Sequence, residues 1–206
     1  MSRRSLARGG MGDEAAARSA QRFSTAICPS NPRDAKRLRA GGAVPERHTM
    51  PASHAAPVQL RLGRPGDATA IRALTREAYA AWVNLIGREP LPMTADYGAA
   101  LRQHRFDLTY RDGALIGLIE TRAEPDHLLV VNVAVSPAHQ SAGLGRRLLA
   151  HAEALARELG LTTLRLYTNA RFERNIAIYR RIGYAVDREE TNERGVIVHM
   201  VKTLDG

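Results

Sequence analysis

Residues 128–160 constrain this chain more than any other stretch, because three patterns follow one another there without a break. Leu128-Leu-Val-Val-Asn-Val-Ala-Val135 is an apolar, β-branched run closed by Ser136-Pro137, as expected of a buried strand. Gln140-Ser-Ala-Gly143-Leu-Gly145-Arg146-Arg147 is a glycine-containing loop. Leu148, Leu149, Ala152, Leu155, Ala156 and Leu159 then recur at helical spacing until Gly160. A helix entered in this way offers its first backbone N–H groups, which lack intrahelical partners, and the positive end of its dipole. Gly143 and Gly145 have no Cβ to hold a bulky anion away from the backbone, and Arg146 and Arg147 add positive charge. The segment is predicted to hold a phosphorylated ligand.

Spacing narrows the choice of ligand. A dinucleotide fingerprint would place a third glycine at 148, where this chain has Leu148, and an acidic residue where Leu164-Arg165-Leu166 stands. A P-loop would need a longer glycine gap followed by Lys and Ser or Thr. The pattern left is Gln-x-x-Gly-x-Gly. About thirty residues on comes Asn175-Ile-Ala-Ile-Tyr179-Arg-Arg-Ile-Gly183-Tyr184. Asn175 and Tyr179 are spaced to share a helix face, and Gly183 stands where a helix ends in left-handed backbone. The two blocks resemble the pyrophosphate-binding motif and the second signature of the GNAT superfamily of acyl-CoA-dependent N-acetyltransferases. Residues 58–203 carry them in the family's order and separation.

The resemblance implies an α/β fold of GNAT type: a mixed, twisted, mostly antiparallel sheet with helices on both faces. It implies acetyl-CoA as cosubstrate, with no metal. Gln140, Ser141, Ala142, Gly143, Leu144, Gly145 and Arg146 would surround the pyrophosphate. The backbones of Val133, Ala134 and Val135 would hydrogen-bond the pantetheine arm, and Asn175 would face the cofactor or organise the site. Tyr179 would contact the cofactor and act catalytically, donating a proton to the departing thiolate. The expected activity is acetyl transfer to a primary amine of a small molecule, amino acid or peptide. The rival reading is a catalytically silent acyl-CoA-binding regulatory module.

Acyl transfer requires a neutral amine. A lysine amine is neutral in only about one molecule in 2,500 at pH 7, an α-amine in roughly one in six to ten, so the need for a base depends on the acceptor. Candidates are Glu120, Asp126 and His127, near predicted strand ends, and Asn132, mid-strand where some relatives use an acidic residue; a water chain is the alternative. The acceptor pocket is expected from the segment between the first two helices, with Trp82, Arg88 and Glu89, and from the ends of the closing strands. Arg88 suits a carboxylate bidentately, while a surface Arg–Glu pair is its simpler reading. His151-Ala-Glu153 imitates part of a zinc-deaminase signature without the Pro-Cys-x-x-Cys partner. Gly-x-Ser-x-Gly and His-Glu-x-x-His are absent from the sequence.

Of the net charge of +9, residues 1–57 carry ten Arg and Lys against four Asp and Glu, or +6, leaving +3 for the rest. Basicity is thus largely a property of the tail, which argues against a nucleic-acid role for the folded part. The tail has no sustained period and few large apolar residues, so residues 1–57 are expected to be a disordered basic tail ahead of a GNAT domain at 58–206. Cys28 is the only cysteine, which points to a reducing, cytoplasmic setting. No apolar run reaches membrane-spanning length, and the expected assembly is a monomer or homodimer. Within the domain the pattern predicts a strand at 58–64, a helix at 68–82 capped by Asp67 and a helix from Thr94 to about His104. A hairpin follows at 106–111 and 114–121 on Asp112-Gly113. The strand at 128–135, helix at 143–159, strand at 161–168 and helix at 172–182 come next, with closing strands near 183–190 and 195–202. A chain beginning at Met50 is expected to keep the melting temperature and acetyl-CoA affinity of the full chain. A large loss of stability on truncation would reveal an ordered element in the tail.

Overall fold

The computed structural model describes residues 57–140 and 142–205; the basic tail with Met50, together with Ser141, lies outside the described residues. In chain order the elements are β1 (Gln59–Leu62), a 3-10 turn (Pro65–Asp67), α1 (Ala68–Ile86), α2 (Leu91–Thr94), α3 (Tyr97–Gln103), β2 (Arg105–Arg111) and β3 (Ala114–Ala123). There follow β4 (Leu128–Val135), a second 3-10 turn (Pro137–His139), α4 (Leu144–Glu158), β5 (Thr163–Asn169), α5 (Glu173–Arg181), β6 (Ala185–Asn192) and β7 (Gly195–Thr203). The seven strands form one sheet in the order β1-β2-β3-β4-β5-β7-β6. Only the β4–β5 pair is parallel; the other neighbours are antiparallel.

Helices cover both faces of the sheet, as the sequence implies. On one face Leu148, Leu149, Ala152, Leu155 and Ala156 of α4 pack with Ile116, Ile119, Val130, Val133, Val135 and Leu166. On the other, Ile71, Leu74, Ala78, Tyr79 and Trp82 of α1 pack with Phe106, Leu108, Leu118 and Ala134. All eight residues of β4 are therefore buried, which explains its unbroken apolar run.

Local chemistry sets the boundaries. Asp112 and Gly113 both take positive φ, 51° and 76°, as a tight hairpin between β2 and β3 requires. α5 closes on a Schellman pair, Tyr184 N to Tyr179 O at 3.0 Å and Gly183 N to Arg180 O at 3.1 Å, with Gly183 at φ 97°. Two expectations need correction. Asp67 makes no side-chain cap on α1; its carboxylate instead takes both Arg61 nitrogens, at 2.7 and 2.8 Å, and the Arg64 N–H at 2.7 Å. The helix expected from Thr94 starts only at Tyr97: Thr94 ends the short α2, which lies partly in the expected loop, Ala95 is extended, and Asp96 accepts from Ala99 N at 3.1 Å to start α3. A good N-cap residue in mid-pattern resets the helix.

Leu149 is 0% exposed at the centre of the α4 face. Leu149→Ala is expected to cost about 2–5 kcal/mol of stability in urea unfolding. A loss below about 1 kcal/mol would mean that this face is not the close-packed core described.

Candidate active site

β4 and β5 pair over only Leu128–Leu164, Leu129–Arg165 and Val130–Leu166. Beyond that point β4 continues to Val135 and β5 to Asn169, so the strands part into a cleft. The parting begins at an irregularity in β4. Glu120 pairs with Asn132 but Thr121 pairs with Val130, leaving Val131 as an extra residue. A bulge of this kind bends and twists its strand. Val133, Ala134 and Val135 form the β4 side of the cleft. The side chains of Val133 and Val135 belong to the core under α4, and that of Ala134 to the core under α1.

The loop leaving β4 is tied to the strand end. Ser136 N donates to Ile116 O at 2.9 Å, and Gln140 Nε2 donates to Val135 O at 2.9 Å. The Gln140 side chain thus shapes the loop. Gly143, at φ 75°, forms the N-cap of α4, and a Cβ there would meet nothing within 4 Å. The first helical bond runs from Arg147 N to Gly143 O at 3.1 Å, so the amides of Leu144, Gly145 and Arg146 stand ahead of the hydrogen-bond ladder. Leu144 and Gly145 are buried, whereas Ala142, Arg146 and Arg147 are exposed. The helix start is seated by Gly117, opposite Val135 in the sheet, where an added Cβ would come within 3.0 Å of Leu144 Cδ2. A Cβ here would press on the Leu144 side chain, so the glycine eases the close approach of α4 to β3. Ser141 lies outside the described residues.

Asn175 and Tyr179 are each 0% exposed on α5. Tyr179 lies in the cluster that contains Val133, Val135 and Leu166, its ring 5.9 Å from that of Tyr184 in edge-on contact. Asn175 Oδ1 and Nδ2 are both buried and without a hydrogen-bond partner among the described residues. A buried amide left in this way is costly, and the amide of a pantetheine arm has the complementary donor and acceptor. Free helix amides for a pyrophosphate, a strand cleft for an extended arm and an orphaned amide beside it together fit an acyl-CoA.

A buried polar network lies under α1. Tyr79 Oη donates to Asn132 Oδ1 at 2.8 Å, Asn132 Nδ2 lies 3.4 Å from Tyr97 Oη, and Tyr97 Oη donates to Pro92 O at 2.7 Å. Beside Asn132, Glu120 Oε1 lies 2.5 Å from His104 Nδ1. Burial pushes the Glu120 carboxyl above the usual range, and His104 pulls the other way. Glu120 and Asn132 are thus brought together at the bulge. Asp126 and His127 are not: they pair with each other at 2.6 Å ahead of Leu128, at the far end of β4 from the cleft. Tyr79, Tyr97 and His104 had no motif to single them out as members of this network.

Of the acceptor candidates, Trp82 is buried against Phe172 with ring centroids 4.3 Å apart. Glu89 pairs with Arg76 at 2.7 Å. The simpler reading of Arg88 as half of an Arg–Glu pair therefore gives way: its Nη2 donates to Arg194 O in the β6–β7 hairpin at 2.8 Å. His151 stands 3.4 Å from Asp107 and Glu153 holds Lys202 at 2.6 Å. Among the described residues no cluster of His, Cys, Asp and Glu is placed to hold a metal, and no helix is long and apolar enough to cross a membrane.

No curated protein matches the chain by sequence. Solved structures match its fold. PaiA N-acetyltransferase from Thermoplasma acidophilum, in complex with coenzyme A, superposes with a TM-score of 0.62 at 19% identity, covering 71% of this chain and 99% of that one. The ribosomal-protein-S18-alanine N-acetyltransferase of Escherichia coli gives 0.57 at 18% identity, covering 73% and 96%. YncA from Salmonella typhimurium, solved with its cofactor acetyl-CoA, gives 0.55 at 18% identity, covering 73% and 96%. The sequence profile of the Acetyltransferase (GNAT) family matches residues 70–184, a span running from α1 to the Tyr184 that closes α5. With a glycine-capped helix beside parted parallel strands, this chain belongs to the GNAT acetyltransferase family.

Proposed function

We propose that this protein transfers an acetyl group from acetyl-CoA to a primary amine of a small molecule, amino acid or peptide. The observation that supports the reading is that β4 and β5 stop pairing after Val130 and Leu166, with the glycine-capped start of α4 following the one strand and the buried Asn175 and Tyr179 of α5 following the other. Coenzyme A or acetyl-CoA in the similar PaiA and YncA structures supports the choice of cosubstrate. When bound, acetyl-CoA supplies an activated acetyl thioester.

The chain's own groups then have separable tasks. The loop Gln140, Ser141, Ala142, Gly143 with Leu144, Gly145 and Arg146 holds the pyrophosphate through backbone amides and positive charge. Val133, Ala134 and Val135 align the extended arm with backbone groups, and Asn175 completes the amide contacts. Tyr179 donates a proton to the sulfur that leaves. A phenol near pKa 10 facing a thiol near 8.5 makes full transfer uphill by about 1.5 units, so the hydrogen bond itself carries much of the benefit. Holding the two reactants in register accounts for the remainder of the rate.

If backbone at Gly143 cradles the pyrophosphate, Gly143→Val, forced into left-handed backbone, will weaken acetyl-CoA binding by roughly tenfold or more. The position is open, so no clash adds to the backbone strain at φ 75°, and the variant is expected to fold with a lowered melting temperature. Calorimetry beside thermal melting reads this; equal affinities with equal melting would sink the loop assignment. Tyr179→Phe should lower kcat by about 10²–10⁴-fold, with a smaller change in acetyl-CoA affinity. Free-thiol release with an accepted amine measures it, and a wild-type rate under conditions where chemistry limits turnover removes Tyr179 from the mechanism. A silent acyl-CoA-binding module would bind the cofactor and release no thiol with any amine in the screen.

A further inference from the structure

The side of the cleft away from the phosphate loop is bounded by contacts that the cofactor motifs do not involve. The last turn of α1 reaches the C-terminal end of β5: Arg171 Nη1 donates to Leu85 O at 3.2 Å, and Phe172 packs on Trp82. The β6–β7 hairpin arrives at the same place, with Ala170 N donating to Val196 O at 2.8 Å and Asn169 paired with Ile197. Arg88 joins the two flanks by donating to Arg194 O at 2.8 Å. Segments hydrogen-bonded to one another leave no slot for an extended chain to pass between them. A small acceptor, or one presented end-on, meets no such obstacle.

Three arginines lie along these contacts. Arg88 and Arg171 each use one of five N–H donors on a backbone carbonyl. Arg61, Arg76, Arg105, Arg122, Arg165 and Arg188 have carboxylate partners, whereas other surface arginines, Arg146 and Arg147 of the phosphate loop among them, make no ion pair among the described residues. Arg88, Arg171 and Arg194 make no ion pair among the described residues, and Glu89, the carboxylate adjacent in sequence to Arg88, is held by Arg76. Burial and the charge of Arg194 push the Arg88 guanidinium below its ordinary value. A positive rim with open donors and no internal counter-charge has the chemistry of a carboxylate site.

We infer that Arg88, with Arg171 and Arg194 beside it, recognises a carboxylate on the acceptor, so that the acceptor is a small amino-carboxylate whose amine points into the cleft. The inference rests on the acetyltransferase reading and narrows it to one class of amine. Its test uses the full chain with acetyl-CoA and thiol release. The amines are matched pairs of α- and ω-amino acids, each against its carboxamide, with short peptides bearing acidic residues as a further arm.

The acid of at least one pair is expected to exceed its carboxamide by roughly tenfold or more in kcat/KM, mainly through KM. Arg88→Gln is expected to bring that ratio toward one, and Arg171→Gln to reduce it; loss of the Arg88–Arg194 contact alone would not change a preference between acid and carboxamide. Should Arg88→Gln fail to fold, Arg171→Gln is read in the same way. Ratios near one, an acid preference that survives both substitutions, or acidic peptides outrunning every free amino-carboxylate would each overturn the inference. If no amine is turned over, the acetyltransferase reading fails separately, and calorimetry on the protein with coenzyme A decides the rim. Binding of an amino acid but not its carboxamide, lost in Arg88→Gln, would uphold it, and absence of amino-acid binding would overturn it.

Discussion

The cleft depends on one constraint: β4 and β5 must begin as neighbours and then separate. Their three-pair parallel ladder fixes the start. The extra residue at Val131 falls where that ladder ends, and the core clusters on both faces prevent β4 from following β5 back into register. Continuous parallel pairing would satisfy strand backbone with strand backbone and close the space for an extended ligand. The site is thus made by interrupting regular structure. The interruption is held in place because Val133, Ala134 and Val135 bury their side chains above and below the sheet.

The same bulge gathers polar groups into an apolar layer. Asn132, Tyr79 and Tyr97 satisfy one another and the Pro92 carbonyl, while Glu120 and His104 form a close couple beside them. Polar groups this deep stabilise a unique arrangement only when most of their hydrogen bonds are made. Tyr97 ties α3 to the α2 carbonyl, and Tyr79 ties α1 to the bulged strand. The network therefore fixes α1 over the sheet and, through α1, the position of Trp82 and the loop that follows. Burial of Tyr97 drives its hydroxyl well above the usual phenol range, so it works in this network as a neutral hydrogen-bonding group.

The strand, loop and helix of residues 128–159 are legible because their determinants are consecutive in sequence. A run of strand residues, a glycine with positive φ and the next three amides form one local unit, and the pattern places the strand at 128–135 and the ends of the helix to within a residue. That Asn175 and Tyr179 share a helix face is legible for the same reason: they lie one helical turn apart, and both are buried. What escaped was built from distant pieces. The start of α3 at Tyr97 instead of Thr94 lay hidden, since Asp96 announces a cap only once the neighbouring backbone is known to be extended. Asp67 likewise reads as a cap, yet a bidentate guanidinium from Arg61 outcompetes that use. The contact of Arg88 with Arg194 joins residues 106 apart in sequence, and no local period records it.

The two ends of the cleft share a sign of charge, with consequences for the chemistry between them. Open helix amides with Arg146 and Arg147 stand at one end, and Arg88, Arg171 and Arg194 at the other. Phosphates compensate the first when the cofactor is held. An acceptor carboxylate, on the inference drawn above, compensates the second. Burial, and after it the charge of Arg194, lowers the proton affinity of Arg88; on the same inference an ammonium held beside these guanidiniums would give up its proton more readily than in water. The rim thereby favours the nucleophilic form of the amine before any general base acts. On the proposed mechanism this would lighten the demand on Glu120, whose carboxyl is held buried against His104, and would leave proton donation to the departing sulfur as the task that needs a placed side chain.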